Sequence, residues 1–183
     1  PESFVARNTD SSAGPKMRYR KHGPTKMFNL EGAFIQNRPV IIAEGEIDAL
    51  SVIEAGFNAI GLGSTSNASA FIKYCHENRP IQPMIIAMDN DDKGQASAQK
   101  IYKPLRELSL SCIIKNLYGR FKDANEALLK DKANFIEALT ASTTEMEQSM
   151  SCINDEDFIL SLYRRLSAKD KEAIKKAISS LVA

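Results

Sequence analysis

Two separate stretches of the chain carry acidic residues in a spacing that could do chemistry. They are residues 40–51 (VIIAEGEIDALS) and residues 84–94 (MIIAMDNDDKG). Each begins as an apolar run and continues into carboxylates, namely Glu44 and Asp48 in the first and Asp89 and Asp91 in the second. Grouped carboxylates repel one another, so they must either take up protons or bind a cation. Mg²⁺ prefers hard oxygen ligands and commonly uses a few carboxylates, so a site of this kind is predicted if the two stretches converge.

The elements around these acids are predicted to bring them to one edge of a sheet. From Asn37 onward, short apolar runs alternate with helical patterns, which predicts an α/β fold with a four-stranded, mainly parallel sheet and helices on both faces. The predicted strands are 39–43, 58–62, 84–88 and 111–115, and the predicted helices are 46–54, 68–78, 95–108 and 124–130. Pro104 is expected to bend or split the third of these helices. Because ligands bind outside the carboxyl ends of such strands, Glu44 and Asp89 should meet there.

The acids of this edge differ in how strongly the sequence indicates a functional role for them. Asp48 lies one helical turn after Glu44 and can face the same edge, although it also fits a simple helix-start charge. Glu46 and Asp92 fit solvated charges. Asp123 follows the fourth strand and adds a further carboxylate to the same edge.

The loop 89–92 has two alternatives to a magnesium site, an acidic turn and a calcium loop. An EF-hand would need a Glu at its twelfth position, which falls on Lys100 here. A different loop, residues 61–66 (GLGSTS), includes Gly63 and Ser64 and could cradle a phosphate with backbone N–H groups. It lacks the lysine of a P-loop, so the signal is weak.

Residues 1–36 are basic and are predicted to form short extended pieces broken by polar turns. Residues 10–15 have the turn chemistry of a hairpin tip. Residues 16–21 interleave cations with Tyr19, which suits either phosphate contact with base stacking or a charged, solvated hairpin edge. The candidate contacts to nucleic acid or nucleoside triphosphate are Arg18, Tyr19, Arg20, Lys21, Gly63, Ser64 and Lys93.

The C-terminal part is predicted to be a linker followed by helices. Residues 142–151 are rich in Ser, Thr, Glu and Met without clear periodicity, which indicates a linker. Asn154 is expected to cap a first helix, and Ser167 with Asp170 resembles a capping box for a last one. This helical pair fits a packing appendage or a docking surface. The predicted division is therefore 1–36, 37–140 and 141–183.

Bulk composition excludes several classes of protein. The chain has 183 residues, 43% hydrophobic and 26% charged, with a net charge of +1, which is typical of a soluble globular protein. No run is long and apolar enough to span a bilayer and no signal-peptide pattern is present, so a cytoplasmic protein without membrane contact is expected. The isolated Cys75, Cys112 and Cys152 indicate neither a disulfide framework nor a zinc site. Because the chain begins at Pro1 rather than Met, upstream domains are expected.

Three motifs in this order and strand context resemble the TOPRIM domain of primases, topoisomerases and related nucleases. They are Glu44-Gly45-x-x-Asp48, Gly61-Leu62-Gly63-Ser64 and Asp89-x-Asp91-x-x-Gly94. The resemblance implies a Rossmann-like TOPRIM fold, with Glu44 as general acid or base beside a metal ion. It also implies that Asp89 and Asp91 bind Mg²⁺ (or Mn²⁺), with Asp48 at the position of the first motif's aspartate.

Within the TOPRIM proteins, the flanking residues are most similar to DnaG-type primases and their phage and mobile-element relatives. The basic segment at Arg18–Arg20 and the pair Met27-Phe28 resemble the segment before the primase TOPRIM domain. Lys122-Asp123-Ala124-Asn125-Glu126 resembles the primase loop with further acidic residues, which implies Asp123 as a metal ligand. Asn125 departs from the frequent aspartate, which weakens a second metal site, and Leu30 stands where replicative primases carry a basic residue.

The resemblance implies a DNA primase-type nucleotidyltransferase that makes RNA primers on single-stranded DNA from nucleoside triphosphates. A replicative helicase is the expected protein partner. Because the sequence lacks the zinc-binding domain of such primases, it is expected to be a piece of the active enzyme. Two alternatives stay open: nuclease or topoisomerase-like phosphodiester cleavage by the same metal site, and a non-catalytic module that binds nucleic acid or a replication partner.

Overall fold

A computed structural model describes residues 4–8, 10, 12, 19–24, 26–64, 67–151, 163 and 166–182. In chain order these form β1 (Phe4–Arg7), β2 (Tyr19–His22), α1 (Leu30–Ile35), β3 (Val40–Ala43), α2 (Glu46–Glu54), β4 (Ala59–Gly61), α3 (Ala68–Asn78), β5 (Met84–Ile86), α4 (Asp92–Glu107), β6 (Cys112–Ile114), α5 (Ala124–Lys130), α6 (Lys132–Ser151) and α7 (Ala168–Val182). The chain divides into two units, residues 1–144 and 145–183, and the boundary falls within α6.

The central sheet has four parallel strands in the order β4–β3–β5–β6. Ile41 of β3 lies opposite Ala59 of β4 and Ile85 of β5, so the two central strands are direct neighbours. The predicted fold class is therefore confirmed. The strands end earlier than the apolar runs suggest. For example, β5 ends at Ile86, so residues 87 and 88 already belong to the loop after it.

Helices cover both faces of this sheet. All four residues of β3 are buried, as expected for a strand with helices on each side. On one face Val40 and Ile42 join Phe71 of α3 and Ile101 of α4 in the main apolar cluster. On the other face α2 contacts β3 and β4 and packs against α5.

Two helices differ in detail from the sequence pattern. In α2 the buried apolar residues are Ala49 and Val52, whereas Leu50 and Ile53 are 46% and 37% exposed. Ile47, Leu50 and Ile53 share a helical spacing, but α2 presents its smaller residues to the sheet and so approaches it closely. Helix α4 is not split at Pro104, because the proline lies in its last turn.

The N-terminal residues form a hairpin followed by a helix. Strands β1 and β2 pair antiparallel, with Phe4 opposite His22, which confirms the predicted hairpin. Its tip at 13–15 lies outside the described residues. Residues 30–35 are helical rather than extended, contrary to the prediction. The reason is tertiary, since the amide groups of Asn58 and Gln82 donate to the Ala33 and Phe34 carbonyls of α1 at 2.7 Å each.

The predicted linker at 142–151 is wrong, because α6 continues through it to Ser151. This stretch contains no Gly or Pro, and the hydroxyls of Thr140 and Thr143 donate to carbonyls one turn earlier, at 2.8 and 2.9 Å. The predicted helix beginning at Asn154 lies outside the described residues. In the second unit α7 is present, and the Ser167 Oγ accepts a hydrogen bond from the Asp170 N–H at 3.2 Å.

Across the part of the chain that the structure describes, none of the helices combines the length and the apolar character that crossing a bilayer requires. Cys75 and Cys112 are buried free thiols in the main apolar cluster, as their isolation in the sequence suggests. Cys152 is outside the described residues.

Candidate metal centre

Glu44 is held at the carboxyl end of β3 by bonds from the next strand. The Leu62 N–H donates to the Ala43 carbonyl at 3.1 Å, and the Gly63 N–H donates to the Glu44 carbonyl at 2.9 Å. Gly61 permits this close approach, because a Cβ there would lie 2.7 Å from the Gly45 oxygen. The backbone that carries Glu44 is therefore fixed on the side of β4.

Asp89 and Asp91 lie in the loop between β5 and α4. Asp91 is the N-cap of α4, and its Oδ1 accepts from the Gly94 N–H at 2.9 Å. A Cβ on Gly94 would lie 2.0 Å from the Asp89 oxygen, closer than real atoms approach. The glycine of the Asp89-x-Asp91-x-x-Gly94 motif thus lets the loop fold back onto the first turn of α4.

Asp48 and Asp123 come together because α2 packs against α5. The Asn125 N–H donates to Asp48 Oδ1 at 3.3 Å, and the Asn125 side chain donates to the Ser51 hydroxyl at 3.1 Å. Asp123 caps α5 by accepting from the Glu126 N–H at 2.8 Å. Asn125 therefore ties α5 to α2.

Glu44 and Asp89 share one electrostatic environment. Burial raises the pKa of Glu44, and the charges of Asp89 and Asp91 raise it further, while Lys122 opposes them. Burial also raises the pKa of Asp89; its bond to Lys122 lowers it, and Asp123 and Asp91 raise it. Acids from three different loops thus interact at one sheet edge, as the sequence predicts.

Asp48 is the most perturbed of these carboxyls. Its pKa is raised to about 6, chiefly by burial and then by the charge of Asp123. The hydrogen bond from Asn125 acts in the opposite direction, and Asp89 contributes a further, smaller rise. A carboxyl in this state is costly to ionise unless a cation is nearby.

Lys122 is the cation beside Asp89. Its Nζ lies 3.2 Å from Asp89 Oδ2, with the lysine side chain 58% exposed and the aspartate only 15% exposed. Among the described residues, no three His, Cys, Asp or Glu side chains are grouped closely enough to hold a metal ion by themselves. Mg²⁺ typically uses one or two carboxylates and keeps several waters, so hard-oxygen donors at the ends of β3 and β5 suit it without a three-residue cage.

Two functional candidates escaped the sequence reasoning, Tyr118 and Asn90. The Tyr118 hydroxyl donates to the Ala87 carbonyl at 2.5 Å, and burial beneath the acids raises its pKa well above the ordinary value. The Asn90 amide donates to the carbonyls of Gly119 and Phe121. A tyrosine in the loop after the fourth strand and an amide between two aspartates are the sequence signals that could have indicated them.

The predicted nucleotide contacts have different outcomes. Arg18 lies outside the described residues; Tyr19, Arg20 and Lys21 belong to β2, where Arg20 is exposed. Lys93 is exposed in the first turn of α4, and Ser64 is partly buried after β4. The Gly63 N–H donates to the Glu44 carbonyl at 2.9 Å. For all residues of this set, nucleotide contact stays a prediction.

Comparison with known proteins gives the class of this domain. A protein-family model described as Toprim-like matches residues 41–128, which include Glu44, Asp89 and Asp91. The resemblance of the motifs to TOPRIM is therefore confirmed, and it extends over residues 41–128.

Solved structures with the same fold are DNA primase domains. The primase fragment of the bacteriophage T7 primase-helicase protein matches 74% of this chain and 56% of its own, at 22% identity and a TM-score of 0.53. A DNA primase domain from Pseudomonas aeruginosa matches 75% of this chain and 46% of its own, at 16% identity and a TM-score of 0.52. The Aquifex aeolicus primase matches 90% of this chain and 42% of its own, at 18% identity and a TM-score of 0.52.

A curated relative comes from Mycoplasma pneumoniae. It is named "Uncharacterized protein MG010 homolog" and is 25% identical over 105 residues, which is 57% of this chain and 49% of the relative. The chain thus spans about half the length of this relative, as it spans about half or less of the primase structures from P. aeruginosa and A. aeolicus. At these identities the solved structures establish a shared fold.

Proposed function

We propose that this chain carries the nucleotidyl-transfer site of a primase-type enzyme that makes RNA primers on single-stranded DNA from nucleoside triphosphates. The proposed cofactor is Mg²⁺, with Mn²⁺ as a substitute. The observation that carries the proposal is the position of Glu44 and Asp89 at the ends of two directly paired central strands, where burial and then neighbouring acids raise the pKa of each. The primase folds that match the chain support this reading.

Each acid has a proposed role. Asp89 and Asp91 would hold the metal ion, and Glu44 would act beside it as ligand or as general acid and base. Asp48 and Asp123 would add negative charge at the same edge. The residues proposed to contact template or triphosphate are Arg18, Tyr19, Arg20, Lys21, Gly63, Ser64 and Lys93.

A bound Mg²⁺ would supply charge neutralisation and orientation for the triphosphate of the incoming nucleotide. The protein would contribute by positioning the acidic side chains. The buried strands β3 and β5 hold the backbones of Glu44 and Asp89 in register, since Ile42 lies opposite Ile86 directly before these loops. The raised pKa of Glu44 favours proton exchange with a hydroxyl group nearer to neutral pH than an ordinary carboxyl allows.

A helicase is the proposed protein partner. The T7 relative is a primase-helicase by its name, in which the two activities are parts of one protein. The proposal is tested by co-purification of the helicase of the same replication system with the natural full-length polypeptide. Loss of co-purification when residues 145–183 are deleted would locate the contact in the second unit.

The activity is tested by incorporation of labelled ribonucleotides on single-stranded DNA by the natural full-length polypeptide. Glu44→Gln should lower the rate by at least about 100-fold, the usual contribution of a general acid or base. Asp89→Asn should abolish both incorporation and Mn²⁺ binding. Asp92→Asn is the matched control, because Asp92 is an exposed acid in the same region and should keep activity.

The same experiment separates the alternatives. Metal-dependent degradation of the DNA without incorporation would assign the site to phosphodiester cleavage. No binding of Mn²⁺ or Mg²⁺ in calorimetry, together with retained binding of single-stranded DNA, would assign a non-catalytic role. Incorporation that is unchanged in both Glu44→Gln and Asp89→Asn would refute the proposed site.

A further inference from the structure

The loop after β6 is fastened to the loop after β5 by a buried tyrosine. The Tyr118 side chain is 2% exposed and its ring lies 6.2 Å from that of Phe135. Its hydroxyl donates to the carbonyl of Ala87, which is itself 1% exposed. A buried carbonyl without a donor is costly, so this hydroxyl matters for the conformation of the chain just before Asp89.

A second set of bonds lies on the other side of Asp89. The Asn90 backbone N–H donates to the Lys122 carbonyl at 2.6 Å. The Asn90 side-chain amide donates to the carbonyls of Gly119 at 3.0 Å and Phe121 at 3.3 Å. An aspartate at this position would turn a carboxylate towards the same two carbonyls and would lose both bonds.

We propose that Tyr118 and Asn90 are positioning residues that hold Asp89 in its metal-binding place by joining the two loops. Ala87 and Asn90 bracket Asp89 in sequence, and both are bonded to residues 118–122. The inference rests on the proposed function, because it assigns these residues to the same metal centre.

The joined loops also set the surroundings of Asp89. The bond from Asn90 to Lys122 fixes the backbone of the lysine whose Nζ lies 3.2 Å from Asp89. Asp123 follows directly and caps α5. The two loops therefore deliver one cation and one further acid to Asp89 as a unit, and a shift of one loop should change metal affinity without unfolding the sheet.

The test uses Tyr118→Phe and Asn90→Leu, with Tyr74→Phe as the matched control. Tyr118→Phe keeps the ring and removes the hydroxyl, and Asn90→Leu removes the amide donors with similar size. Tyr74 is a partly buried tyrosine of α3 that stacks on Phe34. Mn²⁺ affinity is measured by calorimetry, and amide hydrogen exchange of residues 84–92 is measured without metal.

Each of the two variants should weaken Mn²⁺ binding by about 5- to 10-fold, the scale of one hydrogen bond, and should speed exchange at residues 87–91. Tyr74→Phe should change neither. Because Asn90 is exposed, its variant is expected to fold even if Tyr118→Phe does not.

Unchanged exchange and unchanged Mn²⁺ affinity in both variants would overturn the inference. A similar loss in the Tyr74→Phe control would also overturn it, because the effect would then be general destabilisation. If the unsubstituted protein binds no Mn²⁺, the proposed function fails. The inference that the two loops are joined can then still be tested by hydrogen exchange without metal. Faster exchange in the variants would support that inference, and unchanged exchange would refute it.

Discussion

Replacing Asp48 with Asn should stabilise the metal-free protein at neutral pH. The pKa of Asp48 is raised from 3.8 to about 6, chiefly by burial and then by the charge of Asp123. Between these two values the folded protein binds more protons than the unfolded chain, so the free energy of unfolding falls as pH rises through this window. The shift of about 2 pH units corresponds to about 3 kcal/mol, lost in full above pH 6.

Asp48→Asn removes the ionised form and keeps an oxygen that can accept from the Asn125 N–H. The variant should therefore gain up to about 3 kcal/mol at pH 8 and little at pH 4. The assay is urea denaturation in the presence of EDTA, followed by circular dichroism from pH 4 to pH 8. Glu54→Gln is the control, because Glu54 is an exposed acid on the same helix.

Two results would refute this reasoning. One is a variant that is less stable than the parent at pH 8, which would mean that Asp48 contributes more as a hydrogen-bonded anion than burial costs. The other is a stability difference that does not change between pH 4 and pH 8, or that Glu54→Gln reproduces.

Three further predictions concern the same edge. Lys122→Met should tighten Mn²⁺ binding by about 2- to 5-fold in calorimetry, because the ammonium group beside Asp89 no longer competes with the metal; weaker binding would contradict this. Gly94→Ala should cost about 2–3 kcal/mol in urea denaturation, since its Cβ would collide with the Asp89 backbone, whereas an unchanged midpoint would show that the loop relaxes freely. Mn²⁺ at 100 times its pH 8 Kd should stabilise the protein by about 2.7 kcal/mol in thermal unfolding at pH 8. The same Mn²⁺ concentration should stabilise it by less at pH 5, because Asp48, whose pKa is about 6, is then protonated and attracts the metal less; equal shifts at both pH values would contradict the assignment of Asp48.

The sheet and the main acids could be predicted from the sequence because their signals are local. An apolar run predicts a buried strand, and an acid directly after the run must lie at the carboxyl end of that strand. Ala43-Glu44 and Met88-Asp89 are the two examples. Strands that alternate with helices restrict the topology to a parallel sheet. Glu44 and Asp89 are thereby placed on one edge without any knowledge of distances.

The remaining features depend on contacts between residues that are distant in the chain. Helix α1 forms where its carbonyls meet Asn58 and Gln82, and nothing near residues 30–35 reports those partners. The face that α2 buries is the one that carries the small Ala49, which packs closely against the sheet, whereas the larger Leu50 is exposed. The ion pair of Lys122 with Asp89 likewise requires that the loops after β5 and β6 meet.

The direct pairing of β3 with β5 has a consequence for the order of events in folding. The chain leaves β3, forms β4 on one side, and returns to place β5 on the other side of β3. Glu44 and Asp89 therefore become neighbours only after this long-range ladder has closed, and such non-local pairings form slowly. A fluorescent or paramagnetic metal ion added during refolding should be captured no earlier than this closure, so metal uptake would time the completion of the central sheet.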